Sequence, residues 1–304
     1  MEFGPHLILA LIEGSVQAAV LALTAVGLSL VFGVMRVVNV AHGEFYMLGA
    51  VLAWLISTQI AGHPALGFAA ALIIAPLVVG AIAAAADLSI LKRVDYDPEA
   101  TIVATIGILY ILQQVVLMTY GPEARPVEAP FNTRIALPWL EGGEIVYPWG
   151  FGTTTYKLAV IGAAAAILTT LWLVLSRSKA GLMMRATQLD REMALAFGLP
   201  VERIYAVVFG AGAALAALAA VLIVPIQQAH YLMGAEPLLL AFIVVIIGGL
   251  GSLRGTIVAA ILIGLSDGIV SVFFSPTLAK ILSTLLVAMV LVFRPQGLFG
   301  QRRA

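Results

Sequence analysis

Long runs of apolar residues constrain the fold of this chain more than any other feature of its sequence. Residues 65–91 contain one charged side chain, Asp87, and residues 204–226 contain none. An α-helix of about 20 apolar residues spans the ~30 Å hydrocarbon layer of a membrane. Glycine and alanine are frequent within the runs, and between packed membrane helices such small residues allow the backbones to approach closely. The sequence therefore predicts an all-α, polytopic bundle of transmembrane helices.

The overall composition agrees with a membrane location. Apolar residues make up 62% of the 304 residues and charged residues 11%, whereas about a quarter of an ordinary soluble domain is charged. Sixteen basic and sixteen acidic residues balance, so no net field attracts nucleic acid. The chain has no cysteine, and its four histidines show no H-E-x-x-H spacing, so neither a thiolate metal site nor a catalytic zinc is expected.

The apolar runs give the number of spans. Nine windows are candidates, at residues 7–32, 45–60, 65–91, 100–118, 156–175, 204–226, 237–250, 256–274 and 278–293. Two of them, 45–60 and 237–250, are short and adjoin polar or glycine-rich stretches that favour re-entrant segments. We therefore predict eight or nine spans in a single transmembrane domain that covers residues 1–304.

The basic residues predict the orientation, because Lys and Arg are enriched in cytoplasmic loops. If Lys92 and Arg93 are cytoplasmic, alternation across nine spans places twelve of the sixteen basic residues inside. This arrangement makes residues 176–203 a cytoplasmic loop and residues 121–155 an external loop. The C-terminus is then cytoplasmic, and an eight-span chain would change only the side of the N-terminus.

The cytoplasmic loop 176–203 contains signals for a short helix. Thr187 and Asp190 have the spacing of a capping box, with an acid in place of the usual Glu, and predict that a helix begins at Thr187. Gly198 and Pro200 predict its end, since glycine accepts a left-handed conformation and proline cannot extend the helix.

An apolar stripe runs along this predicted helix. Leu189, Met193 and Phe197 recur at four-residue spacing, which places them on one face. Such a helix is suited to a groove on another protein. The alternative is a helix that lies on the lipid headgroups.

Three motifs resemble one family of transport proteins. Glu192, Ala194 and Gly198 reproduce the E-x-A-x-x-x-G core of the loop by which permeases of ATP-binding-cassette (ABC) importers dock on their ATPases. RATQLDREMALAFG resembles the form found in the branched-chain amino-acid permeases of the LivH type, as do FGVMRVVNVAHGEFYMLGA near the N-terminus and VLVFRPQGLFG near the C-terminus. The Ile-x-Leu-Pro ending of the general importer loop is missing after Gly198, so the resemblance implies the family but not the detailed docking geometry.

The resemblance implies a set of partners and a cargo. It implies a bacterial inner-membrane permease that pairs with a second, homologous permease subunit, two ATPase subunits and an external solute-binding protein. Its cargo would be branched-chain amino acids, although related permeases for urea or short amides carry similar signatures. The residues implied in ATPase coupling are Arg185, Thr187, Leu189, Asp190, Arg191, Glu192, Met193, Ala194, Phe197 and Gly198.

The chain lacks the means to hydrolyse ATP itself. No lysine follows a glycine anywhere in the sequence, so the Gly-Lys of a P-loop is absent. We therefore expect a transport subunit rather than an enzyme, with no cofactor of its own and with ATP bound by the partner subunits.

Polar residues inside the apolar segments are candidates for the translocation path. Asn39, His42 and Glu44 form a cluster in which Gly43 allows the backbone to turn, and a broken helix there would expose polar groups to a solute. Asp267 lies in the middle of a predicted span, where an ionised side chain is costly and usually functional. The alternatives are a polar turn whose groups satisfy one another and, for Asp267, a coupling carboxylate in an ion-driven secondary transporter.

Overall fold

The computed structural model describes residues 3–60, 62–136, 139–141, 144–146 and 152–293. These residues form a helical bundle with two small strand pairs. The helices are α1 (Phe3–Met35), α2 (His42–Gln59), α3 (Pro64–Ser89), a 3-10 turn (Leu91–Val94), α4 (Pro98–Tyr120), α5 (Thr155–Arg177), α6 (Lys179–Leu189), α7 (Arg191–Ala196), α8 (Val201–Gln227), α9 (Ala235–Gly248), α10 (Leu253–Phe273) and α11 (Pro276–Phe293).

The predicted spans are all helical. Six of the described helices, α1, α3, α4, α5, α8 and α10, are long and apolar enough to cross a membrane. The other three predicted windows form α2, α9 and α11, of which α9 has 14 residues. The all-helical membrane fold is thus confirmed, whereas the count of eight or nine spans is not.

Helices α1 and α8 form the centre of the bundle. Small residues let their neighbours approach closely: a Cβ atom added to Gly264 of α10 would lie 2.4 Å from the Cα atom of Ala18 in α1. Helices α3 and α4 lie outside and expose large apolar side chains, among them Leu77, Val103 and Met118, at 68–78%. Such exposure is unfavourable in water and is expected for surfaces that face lipid.

The bundle has two chemically different ends. We call the first the α6–α7 end, where Arg36 donates to the backbone oxygen of Gln188 at 3.2 Å. At the same end, Lys92 pairs with Glu202 at 2.7 Å. We call the opposite one the loop end.

Two contacts define the loop end. Residues 125 and 229 exchange backbone hydrogen bonds of 2.7 and 2.8 Å. Lys280 pairs with Glu236 at 2.8 Å. The described residues of the predicted external loop 121–155 lie here, on the side opposite residues 176–203. It contains the strands β1 (Arg134–Ala136), β2 (Trp139–Glu141), β3 (Glu144–Val146) and β4 (Gly152–Thr154), paired antiparallel as β1 with β4 and β2 with β3.

The segment that crosses the bundle and contains α2 is helical over only part of its length, and we call such a segment an interrupted passage. Helix α1 ends at Met35 at the α6–α7 end, and residues 36–41 return into the bundle without helical structure. Helix α2 then begins at His42, whose Nε2 donates to the backbone oxygen of Thr24 at 2.9 Å. Thr24 lies about 16 Å along α1 from Met35, at 1.5 Å per residue. Helix α2 therefore starts deep inside the bundle.

The passage that contains α9 is interrupted in the same manner from the other side. Helix α8 ends at Gln227 at the loop end, and residues 228–234 lead to the start of α9. A Cβ atom added to Gly43 would lie 2.4 Å from the backbone oxygen of Gly234. The first turns of α2 and α9 therefore meet inside the bundle, and only glycine permits the contact.

Candidate functional site

The segment predicted to dock on an ATPase is folded differently from the prediction. Helix α6 continues to Leu189, and Thr187 lies inside it, buried, with its hydroxyl donating to the oxygen of Met183 at 3.0 Å. Asp190 instead caps the six-residue helix α7 by accepting from the backbone N–H of Met193 at 3.0 Å. The predicted single helix from Thr187 to Gly198 is thus wrong. Asp190 acts as an N-cap itself rather than as the third residue of a capping box, because Asp is among the strongest N-cap residues.

The three side chains of the predicted stripe are exposed, but they do not lie on one helix, because Leu189 ends α6 and Phe197 follows α7. Leu189, Met193, Leu195 and Phe197 are 82%, 52%, 49% and 78% exposed, and we call these four side chains the apolar tip. Ala194 is buried beneath them. Gly198 ends the segment with a φ of +76°, the left-handed conformation expected of a glycine after a helix.

Charged residues surround the tip. Glu192 is exposed, and Arg185 donates to the backbone oxygen of Leu175 at the end of α5. Arg191 pairs with Asp95 at 3.0 Å, and its guanidinium lies 5.6 Å from the ring centre of Tyr96. This cation–π geometry ties α7 to the segment between α3 and α4.

A buried acid continues this connection into the bundle. The hydroxyl of Tyr96 donates to Oδ2 of the fully buried Asp87 in α3 at 3.3 Å. Burial, together with the nearby Asp87 carboxylate, raises the pKa of Tyr96, so the phenol keeps the proton that it donates. Lys92, which follows Asp87 in the sequence, does not pair with this acid but with Glu202.

The predicted path residues of the first passage lie together where α2 begins. Asn39, His42 and Glu44 are 0%, 0% and 3% exposed. Both polar atoms of the Asn39 side chain, Nδ1 of His42 and Oε2 of Glu44 have no hydrogen-bond partner within the described residues. Buried polar groups normally find partners, so this cluster is suited to contact water or a solute.

A cavity of about 160 Å³ lies on the loop-end side of this cluster. Its polar and charged walls come from Gln17, Thr24, Tyr46, Gln227, His230, Glu236, Asp267 and Lys280. Thr24 and Tyr46 place the inner wall beside the start of α2, while Glu236 and Lys280 are 58% exposed where the cavity reaches the surface.

The structure thus places Asp267 apart from the other candidates. Asp267 lines the cavity, whereas Asn39 lies in the buried break before α2, and His42, Gly43 and Glu44 lie in the buried first turn of α2. Within the described residues, no group of three or more His, Asp or Glu side chains is arranged to hold a metal ion.

A second cavity, of about 540 Å³, lies toward the α6–α7 end between α1, α5, α6 and α10. Val26, Leu30 and Val34 contribute to it from α1, whereas Gln17, Leu21 and Thr24 contribute to the first. At 100° per residue Gln17, Leu21 and Thr24 lie on a different face of the helix from Val26, Leu30 and Val34.

An apolar helical bundle with two interrupted passages, a polar cavity at one end and an exposed apolar tip at the other has the construction of a multi-pass membrane transport protein. Comparison with known proteins gives the family. The chain belongs to the family described as branched-chain amino acid transport system / permease component, whose model matches residues 10–293.

Curated relatives cover almost the whole chain. It is 28% identical over 299 residues to the high-affinity branched-chain amino acid transport system permease protein LivH of Salmonella typhimurium, covering 95% of this chain and 94% of the relative. LivH of Escherichia coli K12 is 28% identical over 298 residues, with the same coverage. The corresponding protein BraD of Pseudomonas aeruginosa is 27% identical over 309 residues, covering 97% and 96%. The resemblance indicated by the sequence motifs is confirmed. No solved structure matches the chain.

Proposed function

We propose that this chain is the transmembrane permease subunit of an ATP-driven importer for branched-chain amino acids. The observation that carries the proposal is the apolar tip, a set of exposed side chains on the capped helix α7 and immediately next to it, at one end of the bundle. Such a surface is suited to a hydrophobic groove on a partner protein. The cargo is taken from the relatives, whose names all describe branched-chain amino acid transport.

The charge distribution supports a cytoplasmic position for the apolar tip. Nine of the thirteen described Lys and Arg residues lie at the α6–α7 end or in the segments that join it. Because basic residues are enriched in cytoplasmic loops, we place this end inside and the loop end outside. The interrupted passages of α2 and α9 are then counted as crossings, which gives nine in an inner-membrane protein.

Helix α11 supports a cytoplasmic C-terminus. It begins at the loop end, where Lys280 pairs with Glu236, and leads from there toward the α6–α7 end. The basic residues Arg294, Arg302 and Arg303, which the sequence analysis also placed inside, lie outside the described residues.

The proposed assembly supplies what a single chain lacks. Two ATPase subunits would bind the apolar tips of this chain and of a second permease. They would also bind the ATP, because this sequence has no P-loop. An external solute-binding protein would deliver the cargo at the loop end, where the cavity reaches the surface.

The contacts of α7 suggest how the ATPases act on the bundle. Movement of α7 would pass through Arg191 to Asp95 and Tyr96, and from Tyr96 to the buried Asp87 of α3. Helix α3 packs along α8, which also contacts α1 and α2. Displacement of these central helices would separate the first turns of α2 and α9 and open the path between the two sides.

Reconstitution tests the proposal. Proteoliposomes with this chain, a second permease, the ATPases and the binding protein should accumulate radiolabelled leucine only with ATP. Phe197→Asp should lower this uptake at least about tenfold, because a charge in a desolvated apolar contact is strongly unfavourable. Phe197→Leu, which keeps the surface apolar, should retain most of it.

The same assay separates the alternatives. The 78% exposure of Phe197 predicts that Phe197→Asp leaves the fold unchanged, which thermal unfolding in detergent would verify. Uptake by this chain alone, driven by an ion gradient and insensitive to Phe197→Asp, would reject the ATP-driven importer in favour of a secondary transporter.

A further inference from the structure

The cavity at the loop end contains three charged side chains, of which two form a pair. Glu236 and Lys280 are joined at 2.8 Å. Asp267, the third, faces the same cavity. It forms no salt bridge within the described part of the chain, although Lys280 is close enough to attract it electrostatically. The cavity therefore holds one carboxylate in excess. A positively charged group that entered it would find a partner already in place.

Part of the remaining wall is aliphatic. This part consists of Val20, Leu21, Leu232, Met233, Leu240 and Ile263, and the polar side chains described above complete the lining. Binding sites for small molecules commonly combine such an apolar wall with a few polar groups that fix the orientation of the ligand. An aliphatic side chain placed against this wall would gain the favourable free energy of leaving water.

The dimensions restrict the ligand to one small molecule. The cavity measures about 160 Å³, close to the ~150 Å³ of an engineered cavity that holds benzene. A single small aliphatic compound is of this size, whereas a peptide is not.

We infer that this cavity binds an aliphatic α-amino acid as the zwitterion, with the ammonium group at Asp267 and the carboxylate at Lys280. The ammonium of Lys280 has three donors, so it can donate to the carboxylate of the ligand as well as to Glu236. The inference rests on the proposed function and makes it more specific. Urea and short neutral amides offer no ammonium to Asp267 and are not ligands of this site.

The test is ligand binding to the complete complex of both permeases and ATPases, purified without the binding protein. The probe is radiolabelled leucine, and the competitors are 4-methylpentanoate, which lacks the ammonium group, and leucinamide, which lacks the carboxylate. Asp267→Asn should raise the dissociation constant of leucine at least about tenfold. The inhibition constant of 4-methylpentanoate should stay within about twofold of the wild-type value. A general loss of packing would raise both constants.

A second variant tests the other half of the site. Lys280→Met should weaken leucine and 4-methylpentanoate but not leucinamide. Lys280 is 58% exposed, so this variant is expected to fold even if Asp267→Asn does not. Glu13→Gln is the matched control: it also removes a carboxylate on the loop-end side, where Glu13 pairs with Lys157 and does not line the cavity. Its affinity for leucine should stay within about twofold of wild type.

The outcomes distinguish this inference from the proposed function. If the wild-type complex imports leucine with ATP but Asp267→Asn binds leucine as tightly as Glu13→Gln, the cavity is not the amino-acid site. The proposed function as an ATP-driven importer is not affected by that result. The same conclusion follows if Lys280→Met weakens leucinamide as much as 4-methylpentanoate. If the wild-type complex imports no branched-chain amino acid at all, the proposed function itself is wrong.

Discussion

The contact between the first turns of α2 and α9 should not tolerate a single methyl group. In Gly43→Ala the new Cβ atom would lie 2.4 Å from the oxygen of Gly234 and 2.9 Å from Cβ of Leu238, whereas an ordinary contact begins at 3.4 Å. The two helix starts would have to move apart by about 1 Å, the difference between 3.4 and 2.4 Å. Because the nearest atom is backbone, no side-chain rotation relieves the clash. Overpacking of this kind destabilises a protein by about 1–3 kcal/mol.

The assay is thermal unfolding of the purified complex, together with ATP-driven leucine uptake. Gly43→Ala should unfold at a lower temperature than wild type and transport more slowly, because the contact between the two passages is distorted. Gly162→Ala is the control, since a Cβ atom there meets nothing within 4 Å and alanine favours a helix interior. If both variants match wild type in unfolding temperature and uptake, α2 and α9 do not meet as described.

Two further substitutions test the connection from the apolar tip to the bundle. Tyr96→Phe leaves the buried Asp87 without its hydrogen-bond donor and should destabilise the chain by about 1–3 kcal/mol. The control Tyr110→Phe, at a 65% exposed position, should have little effect. Equal unfolding temperatures of the two variants would contradict this prediction. Asp190→Ala removes the hydrogen bond that caps α7 at Met193 and should destabilise this helix by about 1 kcal/mol. The affinity for the ATPase, measured in a pull-down titration, should therefore fall about fivefold. An unchanged affinity would mean that α7 forms without its cap.

The membrane helices were predictable because hydropathy over 20 residues is a strong signal. Every apolar window of the sequence became a helix, and the two short windows, 45–60 and 237–250, mark the interrupted passages. They are short for a physical reason: residues 36–41 and 228–234 supply part of each passage without helical structure. The meeting of Gly43 with Gly234 was not predictable, since it depends on how the passages pack.

The coupling segment shows how one local pattern allows two structures. Thr187 and Asp190 have capping-box spacing, but Asp190 and Met193 have the spacing of a simple N-cap, and the second is used. Choosing between them requires knowing that Thr187 is buried against the rest of the protein.

The candidate binding cavity was predictable in one residue only. Asp267 was notable because a carboxylate is rare within a membrane span. Glu236 and Lys280, its charged neighbours, lie at the starts of α9 and α11, where terminal charges are ordinary. Their convergence depends on the packing of α9, α10 and α11 and leaves no signature in the sequence.

The opposed starts of α2 and α9 also have an electrostatic consequence. The N-terminus of each helix carries about half a positive charge from its aligned peptide dipoles, so the two ends repel each other. Each helix has an acidic residue in its first turn, Glu44 in α2 and Glu236 in α9, which offsets part of this repulsion. The work needed to part the two helices is therefore smaller than their close packing alone would require, which suits the opening and closing that we propose for this junction.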